Sequence, residues 1–448
     1  MKNRRNYILG ILLGGASILL MGCVNSLLDQ IPTTELGNTE FWQTEEDATN
    51  GLMGAYADVR GLFSRDYYFD GQGEYVRVRD GSGSLSNTTT NITQGAAYKG
   101  GCYFPDPSYR FGAKFDTYYK FCYGGIHRVN YVIENTLKMI PNAKTEESKK
   151  KLETVIGEAR LLRGMIYFRL ISMWGDVPYI DHVVYNQTEM DKIVRTSIAK
   201  IKDYIIEDFN YAFEKLPVKS EQIGRASKPA ALAFKGKLEL YWACWNHFGW
   251  PELDTFTPSE EEARKAYKAA ADDFHAVIND YGLNLFRNGE PGEWGELGDA
   301  NVLPNYFYLF LPTTGNVNTD GEIIFAFTHG GPGTGQGESL MRDFAGRNIQ
   351  NSQCWVTPTF RLADRYQSTV TGDFTDPLIP MNPNAPNART TKNSAVNPES
   401  YLNRDYRMKA SMLWDYEMIQ GLASLKKTDW VPFIYKSWNA KVTIDGKQ

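Results

Sequence analysis

Long segments rich in glycine, asparagine and aromatic residues carry the side chains best suited to bind a ligand in this sequence. A pyranose ring offers an apolar C–H face that stacks on tyrosine or tryptophan, while its hydroxyl groups need partners such as asparagine, aspartate or arginine. Burying about 40–50 Å² of a sugar face against one ring stabilises binding by roughly 1 kcal/mol. Several rings with a few hydrogen bonds therefore give micromolar-to-millimolar affinity, which suits capture followed by release.

The candidate binding residues share a place in these irregular segments and a ring or a polar group. They are Tyr67, Tyr68, Tyr75, Arg77, Asp80, Asn91, Tyr98, Tyr103, Tyr109, Trp294, Tyr306 and Trp355. One such residue alone more often packs inside a protein than binds a ligand, so the prediction rests on the group. Aromatic residues make up 13% of the chain, a surplus that suits a protein presenting rings to a ligand.

Residue types that catalyse reactions are present but are not spaced for catalysis. The five histidines, His127, His182, His247, His275 and His329, are dispersed and form no metal-ligand motif. The glycine-rich residues 330–337 lack the Lys-Ser/Thr of a phosphate-binding loop, and residues 81–84 lack the context of a nucleophile elbow. Among 53 carboxylates chance pairs are expected, so no glycosidase pair can be nominated. We therefore predict no catalysis, no metal and no cofactor.

One charged cluster resembles a catalytic group but sits in a helical pattern. Glu158, Arg160 and Arg163 lie within an amphipathic run, which favours a structural salt-bridge network. Residues 174–178, Trp-Gly-Asp-Val-Pro, likewise indicate a turn that ends a helix and packs.

Size, charge and cysteine content narrow the class of protein. With 448 residues and 42% hydrophobic content, the chain can bury a substantial core in one large domain or two close lobes. A net charge of −5 shows no excess of basic residues of the kind that nucleic-acid-binding proteins carry. Four cysteines beyond residue 23 (Cys102, Cys122, Cys244 and Cys354) are too few for a disulfide framework, which leaves either one Cys102–Cys122 bridge or free buried thiols.

The N-terminus carries export and lipidation signals. Lys2, Arg4 and Arg5 precede an apolar run at residues 7–21 that is short and broken by glycine, as in a secretory signal peptide. Leu20-Met21-Gly22-Cys23 looks like the lipobox of bacterial lipoproteins, in which the cysteine thiol is alkylated before cleavage. We therefore predict a signal peptide at residues 1–22 and a lipid on Cys23, and more than one acyl chain makes such anchoring stable.

The elements that must position the ligand residues are helices. Apolar residues recur at three- and four-residue steps over residues 115–140 and 152–173, and further amphipathic stretches cover residues 190–216, 229–248 and 260–281. Short breaks between neighbours predict paired helices of tetratricopeptide-like type. Residues 67–109, 284–312, 330–358 and 377–397 lack a sustained period, and residues 322–327 form one strand-like run among them.

Ordered motifs along the chain resemble the SusD/RagB family of outer-membrane nutrient-binding lipoproteins of Bacteroidetes. The most specific is residues 157–168, GEARLLRGMIYF, closed by residues 174–178. The others are residues 28–34, 41–48 and 54–56, the helical set Tyr123, Ile126, Asn130 and Ile133, and residues 227–241, 322–327 and 403–407.

The resemblance implies a mainly α fold, with tetratricopeptide-like hairpins as a scaffold, long aromatic-rich loops and a few short strands. Within one nutrient-binding domain at residues 23–448, the scaffold would occupy mainly residues 45–62 and 113–281, and a loop-rich ligand-binding lobe mainly residues 63–112 and 282–448. Family members usually continue through a further helical segment, whereas this sequence stops at Gln448 soon after the apolar residues 430–435. The resemblance therefore predicts a truncated chain.

The function implied by the resemblance is capture of an oligosaccharide and its delivery to a SusC-like TonB-dependent transporter. The protein would be lipid-anchored in the outer membrane and face the exterior. A peptide ligand, as in RagB-type members, is the nearest alternative; a surface glycoside hydrolase and an adhesive protein are more distant ones. The family's binding residues lie in loops of this sort, but no motif transfers them to single positions here.

Overall fold

A computed structural model describes residues 41–64, 66, 75–78, 115–220, 222–249, 253–294, 303–310, 321–329, 340–345, 354, 356–414, 418–420 and 430–432. The long helices within them are α1 (Glu45–Phe63), α2 (Phe115–Met139), α3 (Glu146–Trp174), α5 (Ile198–Lys215), α6 (Lys228–Phe248) and α7 (Glu260–Asn279). The short helices are α4 (Gln187–Met190), α8 (Asn305–Tyr308), α9 (Leu340–Phe344), α10 (Phe360–Ala363) and α11 (Arg407–Ser411). Single 3-10 turns occupy Ile140–Asn142, Phe286–Gly289 and Pro398–Tyr401.

The strands described are short and pair two by two. They are β1 (Val76–Val78), β2 (Val177–Pro178), β3 (Arg195–Thr196), β4 (Val356–Pro358), β5 (Met418–Gln420) and β6 (Trp430–Pro432). All three pairs, β1–β4, β2–β3 and β5–β6, are antiparallel. The β1–β4 pair sets Val76 opposite Pro358 and so joins residues distant in the sequence.

Helix α1 begins at a capping box. The Thr44 hydroxyl accepts the Asp47 backbone N–H at 3.2 Å, and the Asp47 carboxylate accepts the Thr44 N–H at 2.7 Å. These bonds satisfy groups that would otherwise lack partners at the helix start. From there a stripe at helical spacing is buried: Ala48, Leu52, Ala55, Tyr56, Val59 and Leu62.

Helix α3 is the centre of the scaffold. It is buried almost continuously from Val155 to Ile171, because α1, α2 and α5 all pack against it. Gly164 lets α5 approach closely, since a Cβ there would lie 2.5 Å from the ring of Phe209. The family-like run at residues 157–168 thus encodes the packing surface of this helix.

Consecutive helices form a chain of hairpins. Helix α2 packs on α1 and α3, α3 on α5, α5 on α6, and α6 on α7. The prediction of a mainly α fold built from paired helices is confirmed. The six long helices all fall between residues 45 and 279, while the residues described after 281 form only short elements.

The amphipathic helical stretch predicted at residues 190–216 begins later than predicted. Helix α5 begins only at Ile198, because β3 pairs with β2 just before it. The Asp176 carboxylate accepts the Ile198 N–H at 2.7 Å and fixes that start. Asp176 belongs to the predicted turn, where Gly175 ends α3 with φ 68°. The interpretation of residues 174–178 as a packing turn is therefore confirmed.

The strand predicted at residues 322–327 is wrong as a strand. The segment is extended, but it pairs with no strand of the described chain. Its alternation reflects packing on helices instead: Phe325 lies 5.9 Å from Phe234, and Phe327 stacks on Phe63 at 5.9 Å, centroid to centroid. Helix side chains therefore supply the buried face that the pattern required.

Cys122 is a free thiol buried in the core. Cys102, the nearest cysteine in sequence for a bridge, lies outside the described residues. Burial raises the pKa of the Cys122 thiol to about 12. Cys244 and Cys354 are also free. Among the helices of the described ranges, none combines the length and apolarity needed to cross a membrane.

Candidate functional site

A cleft of about 390 Å³ opens where β1 meets the chain that follows β4. It is lined by Tyr75, Arg361, Asp364, Arg365, Phe374, Thr375 and Pro377, and we call it the Tyr75 cleft. Aromatic and aliphatic surface therefore adjoins three charged groups and a hydroxyl. This composition suits a small ligand with both apolar and polar faces.

The β1–β4 pairing holds one wall of the cleft. The Tyr75 carbonyl oxygen accepts the Thr359 backbone N–H at 2.8 Å and the Thr359 hydroxyl at 3.2 Å. Helix α10 begins directly after Thr359, so the Tyr75 backbone is tied to the helix that carries Arg361. The guanidinium carbon of Arg365 lies 5.4 Å from the centre of the Tyr75 ring, within cation–π range.

The Asp364 carboxylate is bonded within the wall of the cleft. Its Oδ1 accepts the Leu378 N–H at 3.0 Å and lies 3.7 Å from Nη1 of Arg404. Arg404 is buried and also donates to the carbonyl oxygens of Ala363 and Ser400. Burial lowers the pKa of the Arg404 guanidinium, while the Asp364 carboxylate opposes that change. The pair therefore braces the wall of the cleft.

A small second core lies beneath this wall. It consists of Ala363, Leu378, Tyr401, Met408, Met412 and Trp414. The Tyr401 and Trp414 rings stack with centroids 5.5 Å apart and planes 10° apart. Such packing gives a firm base to a segment that has almost no regular secondary structure.

The Thr375 hydroxyl stands out among the groups that line the cleft. Its oxygen is buried, yet it has no hydrogen-bond partner within the described part of the chain. Buried polar groups are nearly always satisfied, so an unsatisfied one beside a cleft indicates a place where a ligand hydroxyl or a water molecule binds.

Trp294 and Tyr306 lie in a second group of rings, which we call the Trp294 cluster together with Tyr406 and Arg407. The Trp294 and Tyr406 ring centroids are 5.5 Å apart. Helix α8, which carries Tyr306, packs on α11, which begins at Arg407. Asn305 ties the cluster together, since its N–H donates to the Pro291 carbonyl oxygen at 2.9 Å.

Charge in the Trp294 cluster is paired. Arg407 donates to both Asp405 oxygens, at 2.9 Å and 2.6 Å. Burial alone would raise the pKa of the Asp405 carboxyl, but these bonds outweigh it and lower that pKa. The crevice between Trp294 and the second core measures only about 10 Å³, which is too small for a sugar ring. Only the outer faces of these rings can meet a large ligand.

The predicted binding residues therefore divide into four sets. Tyr75 lines the cleft, and Trp294, beside Tyr406, and Tyr306, near Arg407, share the second cluster. Arg77 lies in β1, where only its backbone is described. The rest, with the lipidation residue, lie outside the described residues: Cys23, Tyr67, Tyr68, Asp80, Asn91, Tyr98, Tyr103, Tyr109 and Trp355.

Sequence reasoning missed several residues that line the cleft. Arg361, Arg365 and Phe374 belong to a stretch that carries no helical or strand period and was not singled out. A signal did exist nearby, because the family-like turn at residues 403–407 supplies Arg404, which anchors the wall. The partners that make these residues a site come from distant parts of the chain.

The Glu158, Arg160 and Arg163 cluster is structural, as predicted. Glu158 accepts from the Tyr56 hydroxyl at 2.7 Å and is paired with Arg225, which links α1, α3 and the approach to α6. Arg163 faces α5 instead and pairs with Asp208. Across the described ranges, no group of three or more His, Cys, Asp and Glu side chains is arranged to hold a metal ion.

Comparison with known proteins relates this architecture to a family. A family model described as starch-binding, associating with the outer membrane, matches residues 80–240. A SusD-like protein of Bacteroides ovatus is 26% identical over 282 residues, which cover 62% of this chain and 46% of that protein. These matches support the resemblance of the chain to the SusD/RagB family. The chain spans less than half the length of this curated SusD-like relative.

Solved SusD-like structures share the fold. A SusD-like protein from Bacteroides fragilis superposes with a TM-score of 0.58 at 19% identity, covering 90% of this chain and 67% of that one. A second B. fragilis protein, described as a SusD-like carbohydrate-binding protein, gives a TM-score of 0.52 at 21% identity, covering 83% and 60%. At these identities the likeness concerns the fold.

Proposed function

We propose that this SusD-like protein is a lipid-anchored protein of the outer membrane that binds an oligosaccharide outside the cell and passes it, unaltered, to a SusC-like TonB-dependent transporter. The observation that carries the proposal is the Tyr75 cleft. Its ring, its charged groups and the unsatisfied Thr375 hydroxyl stand together in one opening. Stacking on a ring combined with a few hydrogen bonds is how proteins hold sugars reversibly.

The size of the cleft is consistent with a short glycan segment. Ligand pockets typically measure about 300–1,000 Å³, and the cleft, at about 390 Å³, lies near the lower end of that range. An oligosaccharide would occupy it with one or two rings and extend over the surface. The outer faces of the Trp294 cluster offer a second stacking surface for such an extension.

The comparisons favour a glycan over other ligands. The matching family model is described as starch-binding, and one neighbour of the same fold is described as carbohydrate-binding. The lipid on Cys23 would keep the protein at the membrane where the transporter lies. Transfer to the transporter is the role that the family resemblance implies.

Retention on immobilised glycans, combined with analysis of the glycan afterwards, tests the proposal. The full-length protein should be retained by at least one glycan and should release it with its chain length unchanged. Shortened products would identify a glycoside hydrolase. Retention only by peptides would point to the RagB-type alternative, and no retention at all would leave an adhesive or structural role.

A further inference from the structure

Two arginines in the Tyr75 cleft have no charged partner among the residues that the structure describes. Arg361 and Arg365 are exposed and both line the cleft. Neither guanidinium forms a salt bridge or hydrogen bond with any residue of the described chain, and Arg365 lies over the Tyr75 ring. Arg361 lies in α10 and Arg365 lies two residues beyond its end, so two positive charges that pair with no described carboxylate stand on one side of the cleft.

The nearby carboxylates that the structure describes do not neutralise the pair. Asp364 is held by Arg404 and by the Leu378 N–H. Asp373 and Asp376 flank the opposite wall in sequence, but neither lines the cleft, and Asp376 accepts instead from the Asn393 amide at 3.4 Å. The cleft therefore presents excess positive charge on a chain whose net charge is −5. A local field of opposite sign to the whole protein concentrates anions at that point.

We infer that the Tyr75 cleft selects a glycan bearing anionic groups, either uronic-acid carboxylates or sulfate esters. This inference rests on the proposed function and narrows its ligand class. A guanidinium offers two parallel N–H donors that match an oxyanion, and two of them can hold one charged sugar or two neighbouring ones. The Tyr75 ring and Phe374 would cover the apolar faces of the same sugars.

The contact between Arg365 and Tyr75 positions the charge. A guanidinium over an aromatic ring gives up part of its freedom before any ligand arrives, so less is lost on binding. Replacing Arg365 with lysine retains the charge but removes the planar fork. The two substitutions, to glutamine and to lysine, therefore separate charge from geometry.

Isothermal titration of the full-length protein tests the inference with four ligands of matched length: a neutral glucan, an oligouronate, a sulfated glycan and an acidic peptide. The variants are Arg361→Gln, Arg365→Gln and Arg365→Lys. Arg264→Gln serves as the control, because Arg264 is an exposed arginine on α7 and its removal changes the net charge equally. Each titration is run at low salt and at about 0.3 M NaCl, since salt screens exposed charges.

We expect one of the two acidic glycans to bind about tenfold or more tightly than the neutral one at low salt, and less so at high salt. Arg361→Gln and Arg365→Gln should each bind that acidic glycan about five- to tenfold more weakly than the wild type. The control Arg264→Gln should bind it as the wild type does. If neutral and acidic glycans bound equally and the Arg361 and Arg365 variants had wild-type affinity, the inference would be overturned and the proposed function would stand. Preference for the peptide would overturn the glycan assignment, and binding of none of the glycans would overturn both.

Discussion

Arg163 on α3 and Asp208 on α5 form a buried salt bridge at two points, with Nε–Oδ2 at 2.7 Å and Nη2–Oδ1 at 2.6 Å. The same guanidinium donates to the Asn130 side chain on α2 at 2.9 Å and to the Asp181 carbonyl oxygen at 3.0 Å. One arginine from the family-like motif thus joins three helices and the segment after β2. This junction holds the hairpins together.

Asp208→Asn should destabilise the scaffold by about 3–5 kcal/mol, because it leaves the buried Arg163 charge without its counterion. Chemical unfolding monitored by circular dichroism measures the loss. Asp272→Asn is the matched control, since Asp272 pairs with Lys268 on the exposed side of α7. That variant should change stability by less than about 1 kcal/mol. Equal effects at both sites would contradict the structural role assigned to Arg163.

Gly164→Ala should destabilise the protein by about 1–3 kcal/mol through overpacking. The added methyl would meet the Phe209 ring at 2.5 Å, and Phe209 is fully buried, so the surrounding core would have to shift. Gly54→Ala is the control, because it lies on α1 with no atom within 4 Å of its added Cβ. In α1, alanine should be neutral or stabilise by up to about 1 kcal/mol. Gly164→Ala should therefore lower the melting temperature, whereas Gly54→Ala should leave it unchanged or raise it.

Glu239 on α6 makes stability depend on pH. Its side chain is buried near Lys235 and Asp273, and burial raises the pKa of the Glu239 carboxyl to about 7, although Lys235 opposes this change. The folded state thus binds the proton more tightly than the unfolded chain, whose ordinary carboxyl pKa is 4.5. The stability that this group contributes is complete below about pH 4.5 and is lost as the pH rises through about 7.

Wild-type protein should therefore lose stability relative to Glu239→Gln between pH 5 and pH 8, by about 1–3 kcal/mol in urea unfolding. Glu261→Gln is the control. Glu261 is exposed on α7, and a bond from Lys265 lowers the pKa of its carboxyl, so it stays charged throughout this interval. A difference between wild type and Glu239→Gln that does not change with pH would count against a raised Glu239 pKa.

Cys23→Ala should leave the protein unanchored or unprocessed, since it removes the thiol that the lipobox presents for acylation. Detergent phase partitioning and metabolic labelling with a fatty acid measure this directly. Cys244→Ala is the matched control, because Cys244 is a free thiol on α6. If the Cys23 variant still entered the detergent phase and kept its label, another residue or segment would have to anchor the chain.

Much of the scaffold was predictable because its information is local. The apolar period of residues 115–140 and 152–173 needs only the helix repeat, and it located α2 and α3. The start of α5 was not predictable, since it depends on β3 pairing with β2 and on Asp176, 22 residues earlier. The strand prediction at residues 322–327 was wrong for the same reason. Their alternating apolar side chains pack on α1 and α6, not beside a neighbouring strand.

The site was less predictable because distant residues compose it. Tyr75 was selected as a loop aromatic, but its partner Thr359 lies 284 residues away. Arg361 and Arg365 carry no pattern that marks them, and only the β1–β4 pairing brings them to Tyr75. Trp294 was selected for its ring, and its contact with Tyr406 depends on packing of α8 on α11.

Calorimetric titration of Tyr75→Ala with a glycan that the wild-type protein binds tests the central claim most directly. The Thr359 bonds go to the Tyr75 backbone and survive the substitution, so the melting temperature should stay within about 2 °C. Affinity should fall on the order of tenfold with the loss of ring contact. Phe248→Ala, which removes an exposed ring at the end of α6, should bind as the wild type does. Wild-type affinity in Tyr75→Ala would show that oligosaccharide is bound elsewhere and would contradict the assignment of this cleft.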